Sequence, residues 1–263
     1  MEFPRALIAA FALLAAAETP AAEPPLPAAL RDLAPTGKLR VAFIASNPVH
    51  AVRDSGGEFR GPAIDLGREL AGRLAVPFEP LGHPRAEDIV TSAKAGAWDV
   101  AFLAFDPARS AEVDFSPAYL EAHNGYLAST ASAIASPAEA DRPGVRIGVG
   151  QRDAVDLHLT RTLKHAGLVR NAAGTPGALE LIRSGKVDLY AANRQRLDEL
   201  AAKLPGTRIL EGSVLAVQQS LALPKGRAAG LAFVATFVAD AKASGLVAQS
   251  ITRAGLRGVT VAP

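Results

Sequence analysis

Arg109 stands just past an apolar run, DVAFLAF (99–105), at the end of the short segment DPAR (106–109). A guanidinium in that position offers planar, two-point hydrogen bonding to a carboxylate. Its competing role is structural, as a loop arginine that caps a helix or pairs with Glu112 for about 0–1 kcal/mol. Three similar polar rims follow other apolar runs: SNPVH (46–50), GQRDA (150–154) and ANR (192–194). They present Asn47, His50, Arg152, Asp153 and Asn193 as further candidates for contact with a small polar solute. Asn193 and Asp153 equally suit helix N-caps after a strand, Arg152 suits solvent, and His50 suits a loop. The histidines lack metal spacing: His158 and His165 are seven apart, not the i, i+4 of a helical zinc pair. The chain has no cysteine. No metal and no cofactor are expected, and no Ser-His-Asp order, phosphate loop or nucleotide fingerprint is present.

The elements that must position these rims repeat. LRVAFIAS (39–46) is nearly continuous in apolar residues, as for a strand buried on both faces. PAIDLGRELAGRL (62–74) follows as a helix, with Pro62 in its first turn and Leu66, Leu70 and Leu74 on one face. VPFEPL (76–81) is a strand, RAEDIVTSAKAG (85–96) a helix and WDVAFLAF (98–105) a strand. The order then recurs as VRIGVG (145–150), a helix running to Gly167, LVRN (168–171), PGALELIRSG (176–185) and KVDLYAAN (186–193). KAGAWDV (94–100) and RSGKVDL (183–189) share a basic-small-Gly-x-apolar-Asp-apolar pattern, each reading as a helix end, a glycine cap and a strand start. Two βαβαβ units predict two α/β lobes with mainly parallel sheets. NGYLAST (124–130) leaves the first unit and VQQSLALPKG (217–226) returns to it, so two hinge crossings are expected. Ligands of open α/β sheets sit beyond the carboxyl ends of strands, which places all four rims on an inter-lobe cleft.

With these segments in order, the chain resembles the periplasmic solute-binding proteins of family 3, which serve polar amino-acid ABC importers and have the type II periplasmic binding protein fold. DPARSAEVDFSPAY (106–119) is similar to the family's T-P-E-R-x-x-x-V-D-F-S-x-P-Y. GEFRGPAIDLG (57–67), GVRIGVGQRD (144–153), GKVDLYAAN (185–193) and QQSLALPKG (218–226) match its other segments. The resemblance implies lobe one over 36–125 plus 222–263, and lobe two over 126–221 with the hinge strands. It implies a carboxylate-clamping role for Arg109. At the other family ligand positions this chain departs. Phe102 and Ala104 stand where small hydroxyl residues are usual, and Asn193 replaces the acid that takes an amino group. Asn47 and His50 stand where aromatics sandwich the ligand, and Arg152 and Asp153 replace a Gly-Thr pair. The departures point away from ordinary α-amino acids toward an organic anion, or toward Asp153 as a substitute acid. The expected function is a monomeric, non-enzymatic binding protein that delivers a small polar or anionic solute to an inner-membrane ABC permease. Two alternatives are a cyclohexadienyl-dehydratase-like enzyme on the same fold, which needs a general acid in the cleft, and an accessory binding protein without a transporter.

Composition agrees with a soluble, exported domain. Of 263 residues, 49% are apolar and 21% charged, and a net charge of +2 without long basic runs excludes a nucleic-acid footprint. MEFPRALIAAFALLAAAETPAAE reads as a secretory signal over 1–17, cleaved after Ala17 or as late as Ala22. Its run from Ala6 to Ala17 falls short of the roughly 20 residues that span a bilayer. Without a cysteine there is no lipid-modified N-terminus, so no stable membrane anchor is expected and the periplasm is the predicted location. Residues 18–35, rich in Pro and Ala, read as a linker.

Overall fold

The computed structural model describes residues 27–263; the signal sequence read over 1–17 lies outside the described residues. The elements run α1 (Pro27–Leu33), β1 (Leu39–Ile44), a short hairpin of β2 (Val52–Arg53) and β3 (Phe59–Arg60), α2 (Pro62–Arg73), β4 (Phe78–His83), α3 (Ala86–Ser92), β5 (Val100–Ala104) and the long β6 (Val113–Ser129). They continue through β7 (Arg146–Gly150), α4 (Ala154–Thr162), β8 (Gly167–Asn171), α5 (Gly174–Arg183), β9 (Leu189–Asn193), α6 (Arg194–Lys203) and β10 (Thr207–Ile209). β11 (Leu215–Pro224), α7 (Ala228–Ala243), α8 (Leu246–Arg253) and β12 (Val259–Val261) complete the chain.

The fold is two-lobed α/β. Strands β4-β1-β5-β11-β6-β9-β7-β8 lie side by side, with β10 and β12 also pairing on β6. β1 is parallel to β4 and β5, and β7 is parallel to β8 and β9, so each lobe holds one parallel triplet. β11 runs antiparallel to β5 of lobe one, β6 antiparallel to β9 of lobe two, and the two run antiparallel to each other as they carry the chain between lobes. β6 pairs with β11 from Val113 to Asn124 and with β9 from Asn124 to Ala128, which makes one strand common to both lobes. Within this crossing, Pro117 has no N–H for the ladder, and the register against β11 shifts at Gln219–Ser220 and Ser220–Ala222. The Leu221 N–H instead donates to Ser116 Oγ (3.1 Å), which satisfies the backbone group at the bulge.

Helices cover both faces of the strands, and the apolar runs are buried accordingly. Phe43, Leu70, Phe102 and Phe237 belong to the core on one face of lobe one, and Trp98, Leu103 and Ile89 to that on the other. Lobe two has the same plan, with Tyr126, Ile147 and Leu159 in one cluster and Tyr190, Leu197 and Leu200 in another.

The repeated seven-residue pattern has a common structural cause. Asp99 accepts from the Arg40 backbone N–H, Nε and Nη2 at 3.1, 2.9 and 2.8 Å, binding the start of β5 to β1. Asp188 holds Arg146 at the start of β7 by the same three contacts, at 2.8, 3.0 and 2.8 Å. Each lobe therefore locks the register of two parallel strands with one Asp–Arg pair.

Three segments differ from the sequence expectation. Pro27–Leu33, read as linker, is a helix whose Leu33 is buried in the lobe-one core, because Ala29 and Leu33 supply an apolar i, i+4 face. The helix expected to reach Gly167 stops at Thr162. There the Asp141 carboxylate accepts the N–H groups of Lys164, His165 and Ala166 (2.9, 2.7 and 2.9 Å), diverting three successive donors. Those bonds hold Asp141 below the usual carboxylate range. The segment after Asn193 adds a helix, α6, that the sequence reading did not assign.

Candidate ligand-binding cleft

Between the lobes lies a cleft of about 740 Å³, a volume suited to a small organic molecule. Six of the eight sequence-selected residues line it as anticipated from the strand ends: Asn47, His50, Ala104, Arg109, Asp153 and Asn193. Phe102 does not reach it. Its ring is fully buried and packs edge-on against Tyr119, with centroids 5.4 Å apart, two residues before Ala104 on β5. The Arg152 side chain also turns away from the lining, toward Glu87 on lobe one at 3.3 Å.

Arg109 is buried, at 7% exposure. A short turn over Arg109–Ala111 follows from the Asp106 carbonyl accepting the N–H groups of Arg109 and Ser110. This folds the guanidinium back under β5, where Nη1 donates to the Ala104 carbonyl (2.9 Å) and Nη2 to the Arg152 carbonyl of lobe two (2.8 Å). Arg152 has φ of 59°, a left-handed conformation that L-residues adopt at some cost. Glu112, the alternative partner weighed for Arg109, pairs with Lys94 instead (2.7 Å). Burial lowers the Arg109 pKa from its ordinary value, opposed by Asp153 and Asp106 and reinforced by Arg152, but a guanidinium remains charged.

Asp153 occupies the N-cap position of α4 without making the capping hydrogen bond. Asp156 takes over at this end of the helix, accepting from the Arg152 N–H (2.8 Å) and from Arg170 and Thr160. The Asp153 carboxylate lies instead over Gly150 and faces the open cavity, so it is ringed by protein yet exposed to the cleft. That confinement raises its pKa from the ordinary carboxylate value, against the pull of Arg109 and Arg196. A Cβ at Gly150 would stand 2.1 Å from Asp153 Oδ2. Gly150→Ala should therefore turn this carboxylate aside, and because its far end faces the open cleft the cost in stability should stay within about 0.5 kcal/mol, as for substitutions away from the packed core, read by urea denaturation.

Asn193 is the N-cap of α6 and also lines the cleft. Its Oδ1 accepts the Arg196 N–H (2.9 Å), capping α6, while Nδ2 donates across the cleft to Asn47 Oδ1 (3.1 Å). Asn47 also braces its own loop by accepting the Val49 N–H (3.2 Å). Further contacts join the lobes at the rim, with Arg161 on Asp106 at 2.9 Å and Arg196 donating to the Ser46 carbonyl. These contacts describe lobes closed on each other.

His50 is fully buried. The Ile44 N–H donates to Nδ1 (3.2 Å), which assigns the ring proton to Nε2 for donation to Gln219 Oε1 on β11 (3.0 Å). Burial pushes its pKa down to about 4; the Gln219 bond opposes this and the charge of Arg109 adds to it. Because the unfolded chain protonates near the ordinary value of about 6.5, this group's contribution is fully present above that pH. It is lost as pH falls from 6.5 to 4, for a total of about 3 kcal/mol. Urea denaturation across that window should show a steeper loss in the native protein than in His50→Gln; equal slopes would contradict a neutral buried His50.

Several lining residues were missed from the sequence. Gln219 and Asn124 come from the two crossing strands, and Arg196, Thr175 and Tyr190 from lobe two. Gln219 leaves a trace, since two glutamines interrupt an apolar strand in VQQSLALP. Arg196 is legible once Asn193 is known as an N-cap, because the third residue of the helix lies over the cap. Among the described residues, no group of three or more His, Asp or Glu side chains is placed to hold a metal ion. Among the same residues, no single helix is long and apolar enough to cross a membrane.

A two-lobed α/β fold with polar rims facing one another across a closed cleft defines a small-molecule binding architecture. The profile of the bacterial extracellular solute-binding proteins, family 3, matches residues 39–254, and the chain belongs to that family. No curated protein is significantly similar to it in sequence. Among solved structures it is similar to the P235GK mutant of ArgBP from T. maritima, with a TM-score of 0.72, 21% identity, and coverage of 86% of this chain and 98% of that one. A binding component of an ABC transporter from Wolinella succinogenes DSM 1740, complexed with lysine, gives 0.72 at 18% identity, covering 83% and 95%. The ancestral amino acid-binding protein AncCDT-1, a precursor of cyclohexadienyl dehydratase, gives 0.71 at 21% identity, covering 85% and 97%. Similarity at these identities extends to the fold.

Proposed function

We propose that the chain is the periplasmic substrate-binding component of an ABC importer, working as a monomer and presenting a small polar or anionic solute to an inner-membrane permease. In this reading residues 1–17 direct export. Lobe one comprises 36–125 and 222–263, and lobe two comprises 126–221. The observation that carries the reading is Arg109, a buried cation at the cleft wall whose guanidinium is oriented by one carbonyl from each lobe. Such a group binds a carboxylate best when both lobes are in place, which couples occupancy to closure. Asn193, Asp153 and Asn47 offer further polar contacts, and His50 holds the lobe-one loop against the hinge strand. A thermal-shift screen of amino acids, carboxylic acids and amines tests it, because a ligand for the closed state raises the melting temperature. At least one carboxylate-bearing compound should do so; no shift from any class would contradict the reading.

One observation favours a second reading, an enzyme resembling cyclohexadienyl dehydratases. Asp153 faces the cleft with its pKa raised by confinement, as a general acid requires. Turnover of prephenate or arogenate, abolished in Asp153→Asn, would establish it, and no turnover by the folded protein would discard it.

A further inference from the structure

The charges around the cleft do not balance. On its rim Arg85 pairs with Asp88 at 2.8 Å, Arg152 with Glu87 at 3.3 Å and Arg161 with Asp106 at 2.9 Å. Two guanidiniums inside are differently placed. Arg109, on the lobe-one wall, directs both terminal nitrogens to backbone carbonyls, which orient it without neutralising it. Arg196, on the lobe-two wall, donates through Nη1 to Thr175 Oγ1 (2.5 Å) and through Nη2 to the Ser46 carbonyl. Its nearest carboxylate, Glu199, is 3.9 Å away and is itself held by Lys203 at 2.8 Å. The Arg196 Nε is buried without a hydrogen-bond partner, and its side chain is 13% exposed. Against these two cations the interior presents one acid, Asp153, whose carboxylate is felt by both.

A guanidinium removed from water needs a hydrogen-bonded anion to offset its lost hydration. Two of them stand on opposite walls and neither donates to Asp153, so each still lacks a hydrogen-bonded anion in the closed cleft. We infer that the solute is a diacid: an organic molecule with two carboxylate-class groups, one for Arg109 and one for Arg196. This rests on the cleft-binding reading and narrows it. Asn193, committed to the Arg196 N–H and to Asn47, adds no charge for an ammonium group. An amine on the diacid would therefore be received by Asp153.

Calorimetric titration with succinate, glutarate, aspartate and glutamate, against acetate, butyrate, alanine, glutamine and lysine, tests this. The two-carboxylate compounds should bind at least about tenfold more tightly than their single-carboxylate counterparts. Succinate and glutarate against aspartate and glutamate shows whether Asp153 receives an amine. Arg196→Gln should bring the two-carboxylate to single-carboxylate affinity ratio toward one, and Arg196→Lys should keep the preference. A role confined to lobe closure would lower both affinities equally and leave the ratio unchanged, which would overturn the assignment. Tighter binding of alanine, glutamine or lysine would overturn the diacid while leaving the cleft-binding reading in place. No binding by any compound would overturn both.

Discussion

Asp99→Ala should lower the unfolding free energy by about 3–5 kcal/mol, whereas Asp188→Ala should lower it by about 0–1 kcal/mol. The two carboxylates make the same three contacts to an arginine at the start of a neighbouring strand. They differ in surroundings. The Asp99 side chain is 0% exposed and its partner Arg40 17%, and Arg227 approaches it as a second cation at 3.3 Å. The Asp188 side chain is 36% exposed and Arg146 47%. Removing Asp99 leaves Arg40 partly desolvated and the Arg40 backbone N–H without its carboxylate acceptor. Removing Asp188 lets water take its place at little cost. Urea denaturation of both variants measures the contrast, and equal losses would show that burial is not what separates the two lobes.

Arg109→Ala should weaken solute binding by about 2–5 kcal/mol, as when one partner of a buried charge pair is removed. Its loss is twofold. The solute carboxylate loses a two-point donor, and the Ala104 and Arg152 carbonyls lose the group that joins them across the cleft. Arg109→Lys retains the charge but not the planar fork, so it should restore binding only in part. Isothermal titration of the wild type and both variants with the tightest compound of the screen checks the expectation. Unchanged affinity in Arg109→Ala would remove the clamp.

The fold was legible because its signals are redundant. Apolar runs, glycine stops and the repeated Asp-containing motif each point to two parallel triplets, and strand ends locate the rims without knowledge of side chains. The site was legible in part. Arg109 and Asp153 lie five and three residues beyond a strand and Asn193 is the last residue of one, where the topology alone places them near the cleft. Phe102 was misleading in a specific way. On β5 it shares a face with Ala104, but strand geometry advances about 3.3 Å per residue, enough to move a side chain from the rim into the core. Arg152 was misleading because its positive φ sends the carbonyl, not the side chain, toward Arg109. Gln219 and Arg196 were missed because their places depend on tertiary pairing: Gln219 on the register of β11 against β5, and Arg196 on a helix whose start is known only once Asn193 is seen as its cap.

A crystal structure of the protein with its tightest-binding solute tests the central claim most directly. The account predicts a carboxylate between the lobes, within hydrogen-bond distance of the Arg109 guanidinium. A solute bound outside the cleft, or within it but with its carboxylate held by groups other than Arg109, would contradict it.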